Sequence, residues 1–116
     1  MPKVTIYHNP RCSKSRQTLA LIQEKGIEPE VIEYLKNPPS AAELERILGL
    51  LDLSPRELLR KKEAEYQEAG LDADNLDDSA VIDAMVAHPK LIERPIVVVD
   101  GKAAVGRPPE NVEKIL

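Results

Sequence analysis

The sequence predicts an α/β fold with a mixed β-sheet, and three observations carry that expectation. The chain opens with strand, helix and strand in quick succession, a βαβ unit whose strands pair in parallel. It closes on a β-branched run, Ile96–Val99, followed by Asp100-Gly101, a two-residue hairpin signal. Between the two, at about 40–90, capped amphipathic stretches read as a helical insertion into a single domain spanning residues 1–116.

Each element has its own warrant. Lys3–Tyr7 alternates, with Val4 and Ile6 on one side and Thr5 and Tyr7 on the other, until His8-Asn9-Pro10 breaks it. From Ser13 the pattern becomes helical, with Leu19, Ala20, Leu21 and Ile22 forming an apolar side and Gly26 the stop. Glu30–Leu35 is the second strand. After Asn37-Pro38-Pro39, the run Ser40-Ala41-Ala42-Glu43 is a capping box, and the helix it opens sets Ala41, Leu44, Ile47, Leu48 and Leu51 on one face. Ser54-Pro55-Arg56-Glu57 repeats the device; its helix is predicted to carry Leu58 and Leu59 and to run into Arg60-Lys61-Lys62. Glu63–Asp77 reads as an acidic loop holding at most a helical turn. Asp78 or Ser79 then caps a helix with Val81, Ile82, Met85 and Val86 inward, ended before Pro89. Beyond the hairpin, Gly106-Arg107-Pro108-Pro109 breaks the chain and Glu110–Leu116 forms a closing helix.

Composition narrows the function classes. With no Phe or Trp and three Tyr, the core has to be aliphatic. A lone cysteine excludes an intramolecular disulfide framework. No apolar run approaches the ~20 residues of a membrane span, and MPKVTIYHNP lacks the apolar core of a signal peptide. A soluble, cytoplasmic setting is therefore expected, without a membrane partner. The net charge of −4 is the wrong balance for a nucleic-acid binder. The charge is uneven, however: the first 23 residues contain no acid while Lys3, Arg11, Lys14 and Arg16 are cationic, and acids concentrate in Glu63–Asp83. A locally positive region in an acidic chain points to a small anionic ligand.

Cys12 is the centre of that region. It falls where the first helix starts, and free backbone N–H groups and cationic neighbours at such a position favour a thiolate. Ser15 sits one turn on and is expected to donate its hydroxyl to that sulfur; His8 is near enough to help when protonated. Familiar thiol motifs fail one by one. Cys12-Ser13-Lys14-Ser15 is not C-x-x-C, a C-x₅-R phosphatase loop would need arginine where Thr18 stands, and one Cys with His8 and His88 lacks zinc spacing. A monothiol remains, so any redox cycle must take its second sulfur from another molecule.

The segment IYHNPRCSKSRQTL resembles the active-site segment of the ArsC-type, glutaredoxin-coupled arsenate reductase family, whose pattern is H-N-P-x-C-x-x-S-R-x-T-L. Leu58–Lys61 (LLRK), Ile92–Val97 (IERPIV) and Gly106–Pro108 (GRP) extend the likeness over nearly the whole chain. It implies a thioredoxin-like (glutaredoxin-like) three-layer fold, a layout that the element order also matches. By the same resemblance Cys12 is the nucleophile that bonds to arsenic, Arg60, Arg94 and Arg107 hold the oxyanion, and His8 and Ser15 help to form the thiolate. Pro95 resembles the cis-proline that such folds set opposite the active cysteine. Three convergent guanidinium groups suit a tetrahedral oxyanion, since each is a planar, permanently charged donor fork.

Taken alone, Arg60 in its Arg-Lys-Lys run reads as a solvated helix end, and Arg94 and Arg107 are balanced between structural and functional roles. The implied activity is reduction of arsenate to arsenite through a Cys12 adduct, with glutathione as co-substrate, glutaredoxin as partner, and neither metal nor bound cofactor. The plasmid-borne type carries a C-terminal tail beyond the point where this chain ends. Two other readings stand beside it: a glutathione-dependent thiol oxidoreductase on the same scaffold, and a Spx-type regulator that acts without catalysis. The three arginines favour the first activity over the oxidoreductase, and Ser15 in place of a second cysteine disfavours the regulator.

Overall fold

A computed structural model describes residues 3–71 and 76–116 of the chain. The fold divides into two compact units, Met1–Asn37 with Arg94–Leu116, and Pro38–Glu93.

The first unit is a four-stranded mixed sheet in the order β2-β1-β3-β4. Strand β1 (Val4–Tyr7) pairs in parallel with β2 (Glu30–Ile32) and antiparallel with β3 (Ile96–Val99), which forms a hairpin with β4 (Lys102–Val105). The parallel pair is joined by helix α1 (Ser13–Glu24), as a parallel connection requires. Period-two alternation puts Val4 opposite Val99 and Ile6 opposite Val97. These four form one buried cluster with Ile22 of α1 and Val112. Ile22 is fully buried, so truncating it to alanine should cost about 2–5 kcal/mol. Tyr7, Ile96 and Val98, on the other face of the sheet, are buried as well.

The second unit is helical. Helix α2 (Ala41–Leu51) starts where Ser40 Oγ accepts from the Glu43 N–H at 3.1 Å and buries Leu44, Ile47 and Leu48. It packs against α4 (Asp78–Ala87), and a short helix, α3 (Ala64–Glu68), lies between them in sequence. Among the described residues no helix is long and apolar enough to cross a membrane.

Local structure departs from the sequence expectation at several points. Strand β2 ends at Ile32, not Leu35, because Glu33 O accepts from the Lys36 and Asn37 N–H groups and turns the chain. Pro55 begins a 3-10 turn, Pro55–Leu58, and not an α-helix, although Ser54 N–H and Glu57 Oε1 close the expected cap at 3.0 Å. Leu59 leaves that turn to make an antiparallel bridge with Ile92, flanked by Arg60 N–H to Leu91 O at 2.7 Å and Glu93 N–H to Leu58 O at 2.9 Å. Asp77, one residue earlier than expected, caps α4 through Ala80 N–H at 2.9 Å. Within the acidic stretch, Ala64–Glu68 is helical, while residues 72–75 lie outside the described set. The closing helix, Pro109–Ile115, is 3-10.

Candidate active site

Cys12 is the N-cap of α1, with an extended backbone (φ −94°, ψ 123°). It stands just beyond the carboxyl end of β1, the edge of an α/β sheet at which ligands bind. The first turn of α1 carries no acid, so the partial positive charge of the helix end is not offset there. About 8 % of the cysteine's surface remains accessible.

The loop before Cys12 is held by Asn9. Its N–H donates to Ser15 Oγ at 3.0 Å, its carbonyl accepts from Cys12 N–H at 3.0 Å, and its Oδ1 accepts from Arg11 N–H at 3.0 Å. Arg16 adds a fourth tie, Nη1 to Pro10 O at 2.8 Å. Sequence reading singled out neither role. The signal for Asn9 was present in Asn-Pro at a strand end, where an Asx side chain bonds the backbone two residues on.

His8 and Ser15 form a buried pair, Nδ1 to Oγ at 2.6 Å. Burial, the largest influence, lowers the His8 pKa; Arg16 pushes the same way and Glu33 opposes them. The imidazole is therefore neutral at pH 7. The Ser15 hydroxyl has one proton and two acceptor sites, so it serves Asn9 N–H and His8 Nδ1 together. The Ser15 oxygen is shared by His8 and Asn9, and a neutral His8 brings no positive charge to the sulfur.

Arg107 is a cation that reaches the sulfur. Its Nη2 lies 3.9 Å from Cys12 Sγ, while its Nε donates to Arg94 O at 2.9 Å. Arg94 itself has Nε and Nη1 buried from solvent. The Arg94–Pro95 and Arg107–Pro108 peptides are both cis. His8, Cys12, Ser15, Arg94, Pro95 and Arg107 thus all belong to the first unit.

Arg60 belongs to the second unit. It is not a solvated helix end. It follows the Leu59–Ile92 bridge, and its guanidinium pairs with Glu63 at 2.7 Å and Glu93 at 3.8 Å, with about a quarter of the side chain exposed. Among the described residues no group of three or more His, Cys, Asp or Glu is placed to hold a metal ion.

A mixed sheet whose first strand delivers a helix-capping cysteine, with an X-Pro cis peptide preceding the third strand, defines a protein of thioredoxin-like fold with a single thiol. The ArsC family profile matches residues 7–115, and the chain belongs to the ArsC family. It is 53% identical over 117 residues to an arsenate reductase of Neisseria meningitidis serogroup A, with all of both chains covered. It is 56% identical over 115 residues to the uncharacterized protein YfgD of Escherichia coli K12, covering 98% of this chain and 97% of that one. The solved structure of an arsenate reductase from Vibrio cholerae superposes with a TM-score of 0.96 at 53% identity, covering 99% of this chain and 98% of the other.

Proposed function

We propose that the protein reduces arsenate to arsenite, with Cys12 as nucleophile and glutathione and glutaredoxin as electron donors. The observation that carries this reading is the guanidinium of Arg107 beside the sulfur of a helix-capping cysteine. A cation at that place is suited to an oxyanion attacked by the thiolate, since it meets the charge of the bound oxygens. The names of relatives about half identical over the full chain support the same substrate.

In this mechanism arsenate is held by Arg107 and Arg94. The Cys12 thiolate bonds to arsenic and one arsenate oxygen leaves as water, which gives a thiol-arsenate ester with arsenic still pentavalent. The glutathione thiol bonds to the arsenic of that adduct and a second oxygen leaves as water. A glutaredoxin thiolate then attacks the glutathione sulfur, so the two thiols become a mixed disulfide and their two electrons reduce arsenic to the trivalent state. Hydrolysis of the remaining sulfur–arsenic bond releases arsenite and restores Cys12. His8, Ser15 and Asn9 act by fixing the loop that presents the sulfur. The protein itself need hold no metal or prosthetic group.

The test is a coupled assay in which NADPH oxidation is followed with glutathione reductase, glutathione and glutaredoxin, and arsenate is added or withheld. Turnover that requires arsenate, and that disappears in Cys12→Ser, is the expected result. Equal turnover without arsenate on a glutathione disulfide would overturn it in favour of a thiol oxidoreductase.

A further inference from the structure

The loop that carries Arg107 rests on α1 through a residue with no side chain. Gly106 is buried, and its N–H donates to Pro95 O at 2.9 Å. A Cβ at this position would stand 2.5 Å from Thr18 Oγ1, 2.8 Å from Pro95 Cγ and 3.1 Å from Thr18 Cγ2. All three separations are closer than the ~3.5–4.0 Å of ordinary carbon contacts. Its φ lies outside the left-handed region, so the requirement is for space and not for backbone freedom.

The neighbours that close this space are held firmly. Thr18 is fully buried and its Oγ1 donates to Lys14 O at 2.8 Å, one helical turn back. Its β-branched side chain is restricted in rotamer, and the proline ring on the other side is rigid. One residue beyond Gly106, the Arg107 N–H donates to Val105 O at 2.9 Å and the Arg107 guanidinium reaches both Arg94 O and Cys12 Sγ. Helix α1 therefore carries the sulfur at its N-cap and the seat of the Arg107 loop at Thr18.

We propose that Gly106 and Thr18 are positioning residues whose contact sets the distance between the Arg107 guanidinium and Cys12, and thereby the preference of this thiol for anionic reaction partners. The inference rests on Cys12 as the reacting group, but not on arsenate as the substrate.

Two alkylating reagents of similar shape test it, the anion iodoacetate and the neutral iodoacetamide. Each forms a carbon–sulfur bond and releases iodide, and with a single cysteine in the chain both rates report Cys12 alone. The quantity read is the ratio of the anionic to the neutral rate. Gly106→Ala should lower that ratio about three- to tenfold as the cation withdraws from the sulfur. In an Arg107→Gln background the same change should leave the ratio unaltered. Adding Thr18→Ala to Gly106→Ala removes two of the three crowding atoms and should restore part of the ratio, a rescue that general destabilisation would not give.

An unchanged ratio in folded Gly106→Ala, or an equal fall in the Arg107→Gln background, overturns the proposal. Should Gly106→Ala fail to fold, the double variant is compared with Thr18→Ala alone. The Pro95 contact persists there, so a lower ratio in the double variant is expected and equal ratios overturn the proposal. Neither reagent is an arsenic compound, so a failure of arsenate turnover and a failure of this ratio are separate results.

Discussion

Arg107 and Arg60 were singled out for the same task, yet their surroundings differ in kind. Arg107, in the sheet unit, is placed by a neutral acceptor, the Arg94 carbonyl, and faces a sulfur. Arg60, in the helical unit, is placed by two carboxylates, Glu63 and Glu93. A guanidinium oriented by a carbonyl gains geometry from that contact, and the contact itself brings no countercharge. One oriented by carboxylates has to exchange partners before it binds an oxyanion. The two arginines therefore differ in electrostatic setting: the carbonyl that orients Arg107 is neutral, whereas Arg60 is charge-compensated by its acids.

The largest effect should come from breaking the Arg107 side of this contrast. Arg107→Ala is expected to lower kcat/KM for arsenate about 10- to 100-fold, the scale of a hydrogen bond to a charged group. Arg107→Lys should recover little of it, because one ammonium cannot both donate to Arg94 O and face the sulfur as a guanidinium fork does. Full recovery by lysine in the steady-state assay would contradict that geometry. A smaller change sharpens the Arg60 side. Glu63→Gln removes one of the two carboxylates that pair with Arg60 and should cost no more than about 1 kcal/mol in denaturant unfolding, the range of a partly exposed pair. A much larger loss would contradict a pair screened by solvent.

The folds of the two units were unequally legible in the sequence, for a physical reason. In the sheet unit the determinants are local: alternation in Val4–Tyr7, a helix opening at Ser13, and Asp100-Gly101 joining two strands, with Asp100 at φ 51°. Arg60 was read as a helix end because Ser54-Pro55 does open a turn, but Pro55 yields only a 3-10 turn and a distant partner, Ile92, captures the chain at Leu59. Such a bridge between residues far apart in sequence leaves no periodic trace. Helical spacing relates Ser15 to Cys12, but its contact with His8, at the end of β1, arises only through the strand-to-helix turn and has no sequence signal. Gly106 could be read as a chain break, yet nothing local to it announces Thr18.

Two stability measurements probe the units separately. Ser40→Ala removes the acceptor at the start of α2 and should cost about 1 kcal/mol in denaturant unfolding, with turnover unchanged; a cost near zero would mean the cap contributes nothing. The sheet unit should respond to acid through His8. Its folded pKa lies below the unfolded value, so the folded state binds fewer protons and stability falls as pH drops from about 6.5 towards the folded pKa. Above pH 6.5 this contribution is fully present. His8→Gln should flatten that part of the stability–pH curve, and an unaltered slope would contradict a buried neutral imidazole.

The most direct measurement is protection of Cys12 from iodoacetamide by arsenate in the absence of any thiol. With Arg107 beside the sulfur, saturating arsenate should slow alkylation of the native chain strongly and of Arg107→Ala hardly at all. An alkylation rate that saturating arsenate leaves unaltered in the native protein would contradict an oxyanion seat at this cysteine.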